Sequence, residues 1–335
     1  MARGKMSLRV LAGLTAFALA GLTACGTGGG APGASGGGGG EKKAIGVSVA
    51  DQKSLFYVAA VQGMQAQAEK RGYKLVVTSA NNNSSQQVSQ VNDLLTQQVG
   101  ALIFTSQDST AAAAGVKAAN KAQVPVIAVD QRPESGQGEL ATYIATDSVK
   151  AARELCTWMF QQMGGSGEIA ILHGVLGSTA EIQRTQGCQE AIKATPGVKV
   201  VAEETANWDE TEAFKATQNI LAAHPQLKAV FGESDAMGLG AAKAAQQANR
   251  HDGMQFVGID GFPTMFDGVK AGLTQATMAQ QPYHMGEIAV DNAIQIMEGG
   301  AALPAEQYQD TVLINKDTVD QNDVTKFYGP NAKSS

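Results

Sequence analysis

Polar residues recur where the apolar, strand-like runs of this 335-residue chain come to an end. In chain order they are Asp130 in PVIAVD, Asp147 in TYIATD, Ser234 and Asp235 in AVFGESD, Asp260 in QFVGID, and Gln280 in QATMAQ. The carboxyl ends of parallel strands meet at one edge of a sheet, which is where open α/β proteins bind their ligands. Carboxylates gathered there suit two chemistries: the acid and base of a glycosidase, or acceptors for the hydroxyl groups of a bound solute.

Helix capping is the alternative use of a polar residue at the end of a strand. Asp147 directly precedes a predicted helix, so capping accounts for it, and Asp235 also opens a helix and is open to the same interpretation. Asp130 and Asp260 are followed instead by the turn-like sequences QRP and GFP. These two carboxylates are therefore the stronger candidates for contact with a ligand.

The motifs of common enzyme sites do not occur in the sequence. The first strand–turn–helix, VSVADQKSLFYV, has no glycines to admit a pyrophosphate, no phosphate-loop lysine follows the glycines at 164–168 or 238–242, and no G-x-S-x-G elbow is present. The four histidines are too scattered for a metal site: His173, His224, His251 and His284. We therefore predict no catalytic residue, no metal and no cofactor.

Apolar runs rich in valine and isoleucine alternate with helical patterns from Lys43 onward. The clearest helical patterns cover 84–98 and 209–223, and the second opens with a capping box formed by Asp209 and Glu212. Apolar strands separated by helices indicate parallel sheets that are covered on both faces. Because about ten strands exceed one comfortable sheet, the sequence predicts two doubly wound α/β lobes.

The first residues have the pattern of an export signal. A basic start precedes an uncharged apolar run at 10–22, which is too short to span a membrane. The adjoining LTAC, residues 22–25, resembles the lipobox of bacterial lipoproteins, with Cys25 as the lipid-modified first residue. An ordinary secretory signal is the alternative. We predict a signal peptide over 1–24, lipidation of Cys25, and an extracytoplasmic protein held at the membrane.

A glycine-rich segment separates Cys25 from the first predicted strand. Residues 26–40 contain ten glycines, so this stretch buries no apolar surface and has no fixed backbone. As a flexible coil it reaches roughly 20 Å. We therefore predict a tether over 25–42, with the folded part beyond it.

Charge and cysteine content narrow the classes of partner. The formal net charge is −6 and no basic stripe stands out, so we predict no nucleic-acid partner. Cys156 and Cys188 remain after Cys25, in an oxidising compartment. They either form a disulfide or stay as buried free thiols, and the sequence leaves both open.

Several motifs in order carry a resemblance to a known family. They are PVIAVDQRP, LAAHPQLKAVF, SDAMGLGA, VGIDGFP and ATMAQQP. With them, residues 43–315 resemble the ribose-binding protein family, the periplasmic sugar receptors of ABC importers. The resemblance implies two Rossmann-like lobes joined by three crossovers, with a monosaccharide held between them.

The implied lobes are discontinuous in sequence. The resemblance implies an N-terminal lobe made of 43–146 and 281–311. The C-terminal lobe is then made of 147–280 and 312–327, and a tail follows over 328–335. The resemblance also implies a monomer that delivers its solute to the transmembrane subunits of an ABC permease.

The resemblance assigns ligand-binding roles residue by residue. Phe56 and Tyr57 in SLFYV match the aromatic pair of one wall, and Trp208 in ANWDE matches the ring of the other, so that sugar C–H faces stack on aromatic faces. Trp208 could instead be a hydrophobic staple before the capped helix, although its partner would be Ala213, a poor staple. Polar contacts are implied for Asp130, Arg184, Asp260 and Gln280.

Three positions depart from the ribose receptor pattern. Ser54 and Ser234 stand where the family has asparagines, and Gln131 stands where it has an arginine. Arg132 follows one place on, but on an extended segment it points to the other face. Shorter side chains imply a roomier pocket, so the expected ligand is a hexose, a cyclitol or another polyol rather than ribose.

The sequence thus predicts an extracytoplasmic solute-binding protein of an ABC transporter. Two alternatives stay open: a sensory sugar or autoinducer receptor on the same fold, and an exported glycan-cleaving enzyme. A repressor of the same fold is excluded by the export signal and by the missing DNA-reading helices before residue 43.

Overall fold

The computed structural model describes residues 44–106, 109–133 and 136–332, with 109–111 described by their backbone alone. The predicted signal peptide, the lipidated Cys25 and the glycine-rich tether lie outside the described residues. Within these ranges no helix combines the length and the apolar character needed to cross a bilayer.

Strands and helices alternate along most of the chain. The strands are β1 (Ile45–Val49), β2 (Leu75–Ser79), β3 (Ala101–Thr105), β4 (Val126–Val129), β5 (Thr142–Thr146), β6 (Ser166–His173), β7 (Gly197–Thr205), β8 (Leu227–Gly232), β9 (Gln255–Asp260), β10 (Ala276–Ala279), β11 (Glu306–Gln309) and β12 (Val312–Asn315). The helices are α1 (Leu55–Arg71), α2 (Ser84–Thr96), α3 (Ser109–Lys121), α4 (Ser148–Gln162), α5 (Thr179–Ala194), α6 (Glu210–Ala223), α7 (Asp235–Gln247), α8 (Pro263–Ala271), α9 (Pro282–Met297) and the short α10 (Thr325–Tyr328).

Two six-stranded sheets form the framework. The N-terminal sheet has the order β11-β5-β4-β3-β1-β2 and is parallel throughout. The C-terminal sheet has the order β12-β10-β9-β8-β6-β7 and is parallel except for β12. In each sheet the strand order reverses once, beside β1 and β3 in the first and beside β6 and β8 in the second. Ligands bind at such reversal points in open α/β sheets.

Helices cover both faces of each sheet. In the N-terminal sheet, α1 and α9 pack on one face around Ile103 and Ile127, while α2 packs on the other around Leu102 and Phe104. In the C-terminal sheet, α4 and α5 cover one face, and α6 and α7 cover the other. Because both faces are buried, the strands are apolar runs rather than alternating ones. This pattern is what made the doubly wound fold predictable.

The chain passes between the two sheets three times. The passages lie between β5 and α4, between β10 and α9, and between β11 and β12. The last two strands were not predicted. β11 has the sequence EQYQ and carries no apolar run, because it is an edge strand exposed on alternate residues. β12 is an antiparallel edge strand of only four residues.

The predicted tail at 328–335 begins too early. Tyr328 is 3% exposed, and its hydroxyl donates a hydrogen bond of 3.0 Å to the main-chain oxygen of Asp260. Its ring also packs edge-on against Phe262. Tyr328 is therefore part of the folded structure beside the site, and it belongs to the same buried apolar cluster as Phe266.

A disulfide joins the two helices on one face of the C-terminal sheet. Cys156 of α4 and Cys188 of α5 are bonded, with their Cα atoms 5.4 Å apart, and both are fully buried. Of the two outcomes that the sequence left open, the structure contains the disulfide.

Candidate ligand-binding site

A cavity of about 810 Å³ lies at the carboxyl ends of both sheets. All ten residues predicted to contact a ligand line this cavity: Ser54, Phe56, Tyr57, Asp130, Gln131, Arg184, Trp208, Ser234, Asp260 and Gln280. They come from the end of β9, from the turns after β1, β4, β7, β8 and β10, and from helices α1 and α5. Residues far apart in sequence therefore meet because parallel strands end at a common edge.

The aromatic pair of the N-terminal lobe sits at the start of α1. Phe56 and Tyr57 pack edge to face with ring centroids 5.5 Å apart. The turn before them is ordered by Asp51, whose Oδ1 accepts the backbone N–H groups of Lys53 and Ser54 at 2.6 and 2.8 Å. The Ser54 side chain makes no capping hydrogen bond to the helix. Its hydroxyl therefore does not cap the helix, and Ser54 lines the cavity.

Asp130 is held in an unusual backbone conformation directly after β4. Its φ of 66° lies in the left-handed region, which costs free energy for a residue other than glycine. Its Oδ2 accepts the Tyr57 hydroxyl at 3.1 Å, and its main-chain oxygen accepts the Tyr143 hydroxyl at 2.7 Å. Burial raises the pKa of Asp130, while the Arg184 guanidinium and the Tyr57 hydroxyl partly offset that rise. Tyr57 thus holds the carboxyl group of the half-buried Asp130, and Tyr143 holds its main chain, at the edge of the cavity.

Gln131 lines the cavity, but its amide oxygen accepts a hydrogen bond from the C-terminal lobe. Its Oε1 accepts the backbone N–H of Thr179, at the start of α5, at 2.7 Å. Arg132 points away, as the extended backbone predicts: it pairs with Glu306 and lies over the ring of Tyr143 at 4.8 Å. Arg132 therefore does not replace the arginine that the ribose receptor pattern has at position 131.

Arg184 is the buried cation of the site. It is 3% exposed, and its Nη1 donates to the main-chain oxygen of Glu233. Nη1 also lies 3.8 Å from Asp260 Oδ1, and the guanidinium lies 5.5 Å from the ring of Trp208. Nε is buried and has no partner among the described residues. A buried donor without an acceptor is costly, so this nitrogen is suited to a ligand oxygen.

Trp208 is held at the cavity by a strained turn and a close glycine contact. Asn207 and Trp208 both have positive φ, 49° and 64°, between β7 and α6. A Cβ atom on Gly174 would lie 2.0 Å from the indole, so only glycine permits this approach. Asp209 caps α6 by accepting the Glu212 N–H at 2.8 Å, as predicted. The indole lines the cavity, and Trp208 also packs against the core cluster that includes Ala213.

Asp260 and Asp235 form a buried pair on the C-terminal lobe. Asp260 Oδ1 accepts the Gln280 amide at 2.8 Å, and Oδ2 accepts the Asp235 N–H at 3.3 Å. Asp235 accepts the backbone N–H groups of Gly261 and Phe262 at 2.7 Å each. Burial raises the pKa of both carboxyl groups, repulsion from Asp260 adds to the rise for Asp235, and Arg184 opposes it for Asp260.

The structure separates the roles of Ser234 and Asp235. Ser234 caps α7, since its Oγ accepts the Met237 N–H at 3.3 Å. Asp235 therefore is not the helix cap, and holds the turn behind Asp260 instead. Asp147, by contrast, caps α4 by accepting the Lys150 N–H at 3.0 Å, as predicted.

Gln280 lies at one passage between the lobes and contacts both. Its Oε1 accepts the hydroxyl of Thr146, at the end of β5, at 2.7 Å, while its Nε2 donates to Asp260. It is 1% exposed. A single amide thus couples the hinge to the acceptor carboxylate.

The sequence prediction missed other residues that line the cavity, among them Asp51, Asn82, Asn207 and Phe262. Asp51 and Asn82 follow β1 and β2, so the same strand-end rule that selected Asp130 applies to them. Asn207 adjoins the selected Trp208, and Phe262 lies within the GFP turn. For these two residues only the folded turn shows which side chain faces inward.

The chemistry of this site is that of binding. Flat rings lie on both lobes, buried carboxyl groups offer acceptors, and one guanidinium offers donors, which together suit a small polyhydroxylated molecule.

Comparison with known proteins places the chain in a family. A model of the periplasmic binding protein domain matches residues 45–301. The chain belongs to the periplasmic binding protein family. The ribose import binding protein of Bacillus subtilis (strain 168) is 34% identical over 262 residues, which cover 78% of this chain and 84% of that protein. A xylitol-binding protein of Mycolicibacterium smegmatis is 36% identical over 253 residues, which cover 75% and 70%.

Solved structures of periplasmic binding proteins share the fold. A solute binding protein of Actinobacillus succinogenes 130z with bound D-allose matches with a TM-score of 0.79 and 27% identity, covering 84% of this chain and 100% of that one. The Caulobacter myo-inositol binding protein, with myo-inositol bound, gives 0.78 and 27%, covering 84% and 96%.

These matches confirm the resemblance to sugar receptors of ABC transporters and the α/β fold with two doubly wound lobes. The family consists of sugar-binding transport proteins and not of enzymes, which confirms the prediction that the chain is not an enzyme. Membership also implies an extracytoplasmic location. The glycan-cleaving alternative is therefore set aside.

Proposed function

We propose that this periplasmic binding protein is a lipid-anchored receptor that captures a monosaccharide or polyol between its lobes and delivers it to an ABC permease. The observation that carries the proposal is the convergence of both aromatic walls, Asp130, Asp260 and the unpartnered Nε of Arg184 on one cavity. No chemical change of the solute is involved.

Binding would couple the two lobes. Tyr57 and Asp130 belong to the N-terminal lobe, whereas Arg184, Trp208 and Asp260 belong to the C-terminal lobe. A ligand gains all of these contacts only when the lobes are close together, so it stabilises the closed form over the open one. We propose that the permease recognises that closed form.

The dimensions and the shorter side chains support a ligand other than ribose. The cavity of about 810 Å³ is within the range of small-molecule sites. Ser54 and Ser234 leave room that asparagines would fill, and Gln131 places its amide oxygen on Thr179 rather than on a ligand. We propose a hexose, a cyclitol or an acyclic polyol, a range that includes the allose, myo-inositol and xylitol of its relatives.

The test is calorimetric titration with D-allose, myo-inositol, xylitol and ribose, together with the fluorescence of Trp208. We expect saturable binding of at least one, at one site per chain. In Asp260→Asn the affinity should fall about tenfold or more, because a charged acceptor is lost from a buried hydrogen bond. Asp252→Asn is the matched control, since the Asp252 side chain is fully exposed.

Two outcomes would contradict the binding proposal. The first is a folded wild-type chain that binds no member of the panel, and the second is an equal loss of affinity in both aspartate variants.

Anchoring is tested separately, in a bacterium that processes lipoproteins. We expect the full chain in the membrane fraction with a lipid-modified Cys25, and Cys25→Ala in the soluble fraction. Mass spectrometry of the mature N-terminus distinguishes lipidation from ordinary signal cleavage. An unmodified Cys25 in mature membrane-bound protein would exclude the anchor.

A further inference from the structure

A cluster of charged side chains lies directly behind the C-terminal wall of the cavity, around His173. This histidine ends β6 and is 8% exposed. Its Nδ1 lies 3.2 Å from Glu233 Oε1 and 3.1 Å from Thr185 Oγ1, and its Nε2 lies 3.0 Å from Glu203 Oε2. A third carboxylate, that of Glu181, lies 3.8 Å from Nδ1. We call these five residues the His173 cluster.

The geometry of the His173 cluster favours a doubly protonated ring. A neutral imidazole has one N–H and cannot donate to carboxylates from both of its nitrogens. In the His173 cluster Nδ1 faces Glu233 and Nε2 faces Glu203, so both nitrogens are donors when the two glutamates are ionised. The hydrogen bond to Glu233 is the main reason why the pKa of His173 is raised from 6.5 to about 9, against the lowering effect of burial.

The cluster also has the composition of a metal site, because atoms of His173, Glu181 and Glu233 lie within 4.8 Å of one another. Both glutamates, however, already accept backbone hydrogen bonds from the protein. Glu233 Oε2 accepts the Gly174 N–H at 2.9 Å, and Glu181 Oε2 accepts the Gly177 N–H at 3.0 Å. The imidazolium therefore supplies the positive charge that the buried carboxylates need.

Glu233 connects the His173 cluster to the ligand-contacting wall. Its carboxylate is fully buried, and it holds the N–H of Gly174, the glycine on which the Trp208 indole packs. Its main-chain oxygen accepts Arg184 Nη1, and the next residue in the chain is Ser234. Thr185, which donates to Glu233 Oε1 at 2.6 Å, is the neighbour of Arg184 on α5.

We propose that His173 is a positioning residue: its imidazolium neutralises Glu233 and so holds Arg184, Trp208 and Ser234 in their ligand-binding arrangement. The proposal rests on the proposed function, and it adds a residue that does not touch the cavity. If the His173 ring loses its charge, the buried Glu233 carboxylate has no positive partner. The segment around Glu233, which holds Arg184 and leads into Ser234, is then expected to shift.

The test compares His173→Gln with His284→Gln in calorimetric titrations of D-allose, myo-inositol, xylitol and ribose. His284 is the matched control, since its Nδ1 also pairs with a glutamate, Glu287 at 3.1 Å, but on the exposed surface. We expect His173→Gln to lose at least about tenfold in affinity, the loss typical of a buried charged hydrogen bond, and His284→Gln to lose none.

A pH profile separates positioning from a general packing defect. Three acids face the ring, Glu181 from α5, Glu203 from β7 and Glu233 after β8, and the Arg184 guanidinium contacts the main-chain oxygen of Glu233. Loss of the ring proton removes the charge that balances these acids, so wild-type affinity should decline as the pH rises through about 9. His173→Gln should lack this decline, whereas the titration of any group that the two proteins share affects both equally.

The outcomes are distinguishable. A wild-type chain that binds none of the four solutes overturns the proposed function and this inference with it. A wild-type chain that binds, beside a His173→Gln chain with equal affinity and pH profile, overturns the inference alone.

If His173→Gln does not fold, two further measurements on the wild-type protein test the proposal. Nitrogen-15 NMR at pH 7.5 should show both ring nitrogens of His173 protonated, and metal analysis of the purified protein should show no stoichiometric divalent ion. A neutral ring, or one bound ion per chain, would overturn the proposal.

Discussion

At the scale of single residues, the positive charge of Arg184 stabilises the ionised forms of two cavity carboxyl groups. It is the cation that lowers the pKa of both Asp130 and Asp260 against the effect of burial. Its Nη1 is used by the main chain of Glu233, whereas its Nε is left without a partner. The same side chain therefore holds the main chain of Glu233 in place and keeps one donor that a ligand oxygen can accept.

Replacing Arg184 should damage binding more than its charge alone implies. Arg184→Lys keeps one positive charge but loses the planar fork, so we expect affinity to fall at least about tenfold. Arg132→Lys is the matched control, because its exposed pair with Glu306 contributes little. Calorimetry with the best-bound member of the solute panel measures both variants. Equal affinities in the two lysine variants would show that Arg184 does not contact the ligand.

At the scale of elements, the bond between α4 and α5 fixes the helix that carries Arg184. Cys188 lies one helical turn beyond Arg184, and its partner Cys156 lies on the neighbouring helix. The closed loop spans a sequence separation of 32 residues. Such a cross-link stabilises the folded protein chiefly by restricting the unfolded chain.

Removing this disulfide should lower stability without abolishing the fold. For the Cys156→Ala/Cys188→Ala double variant we expect the free energy of unfolding to fall by about 3–4 kcal/mol. Denaturant titration measures the change, and wild type treated with a reductant is the comparison. Two titratable thiols in native, unreduced wild-type protein, besides that of Cys25, would contradict the bond.

At the scale of the whole molecule, the lobes touch through polar contacts as well as through the hinge. Gln131 of the N-terminal lobe accepts the Thr179 N–H of the C-terminal lobe, and Thr146 donates to Gln280. An apolar cluster below the hinge joins Ala59 of α1 to Phe266 of α8. The two lobes therefore contact each other through side chains as well as through the connecting segments.

Loss of the Gln131 contact should shift the balance between open and closed forms. In Gln131→Ala the Thr179 N–H loses its acceptor, so we expect a severalfold weaker affinity, in line with one hydrogen bond of about 0.5–1.5 kcal/mol. Small-angle scattering should show a larger radius of gyration without ligand and compaction at saturation. Gln137→Ala is the control, because Gln137 makes an exposed contact to Lys117. Unchanged scattering and affinity in Gln131→Ala would exclude a role in closure.

The sequence by itself determined the doubly wound fold and the ten predicted residues that line the cavity. It also showed that Asp130 and Asp260 are not helix caps. These features follow from local periodicity, from the residues after each strand, and from motifs in order along the chain. The ten predicted residues reach one cavity because parallel strands must end together.

Only the tertiary structure decided which partner each of those side chains takes. Gln131 turns to Thr179, Asp235 turns to the 261–262 backbone, and His173 meets carboxylates from three elements. β11 and Tyr328 were missed for the same reason, since an edge strand and a buried terminal ring are stabilised by neighbours distant in sequence. Hydrogen bonds and charge pairs depend on distances of a few ångströms between separate elements, and no local pattern of residues encodes those distances.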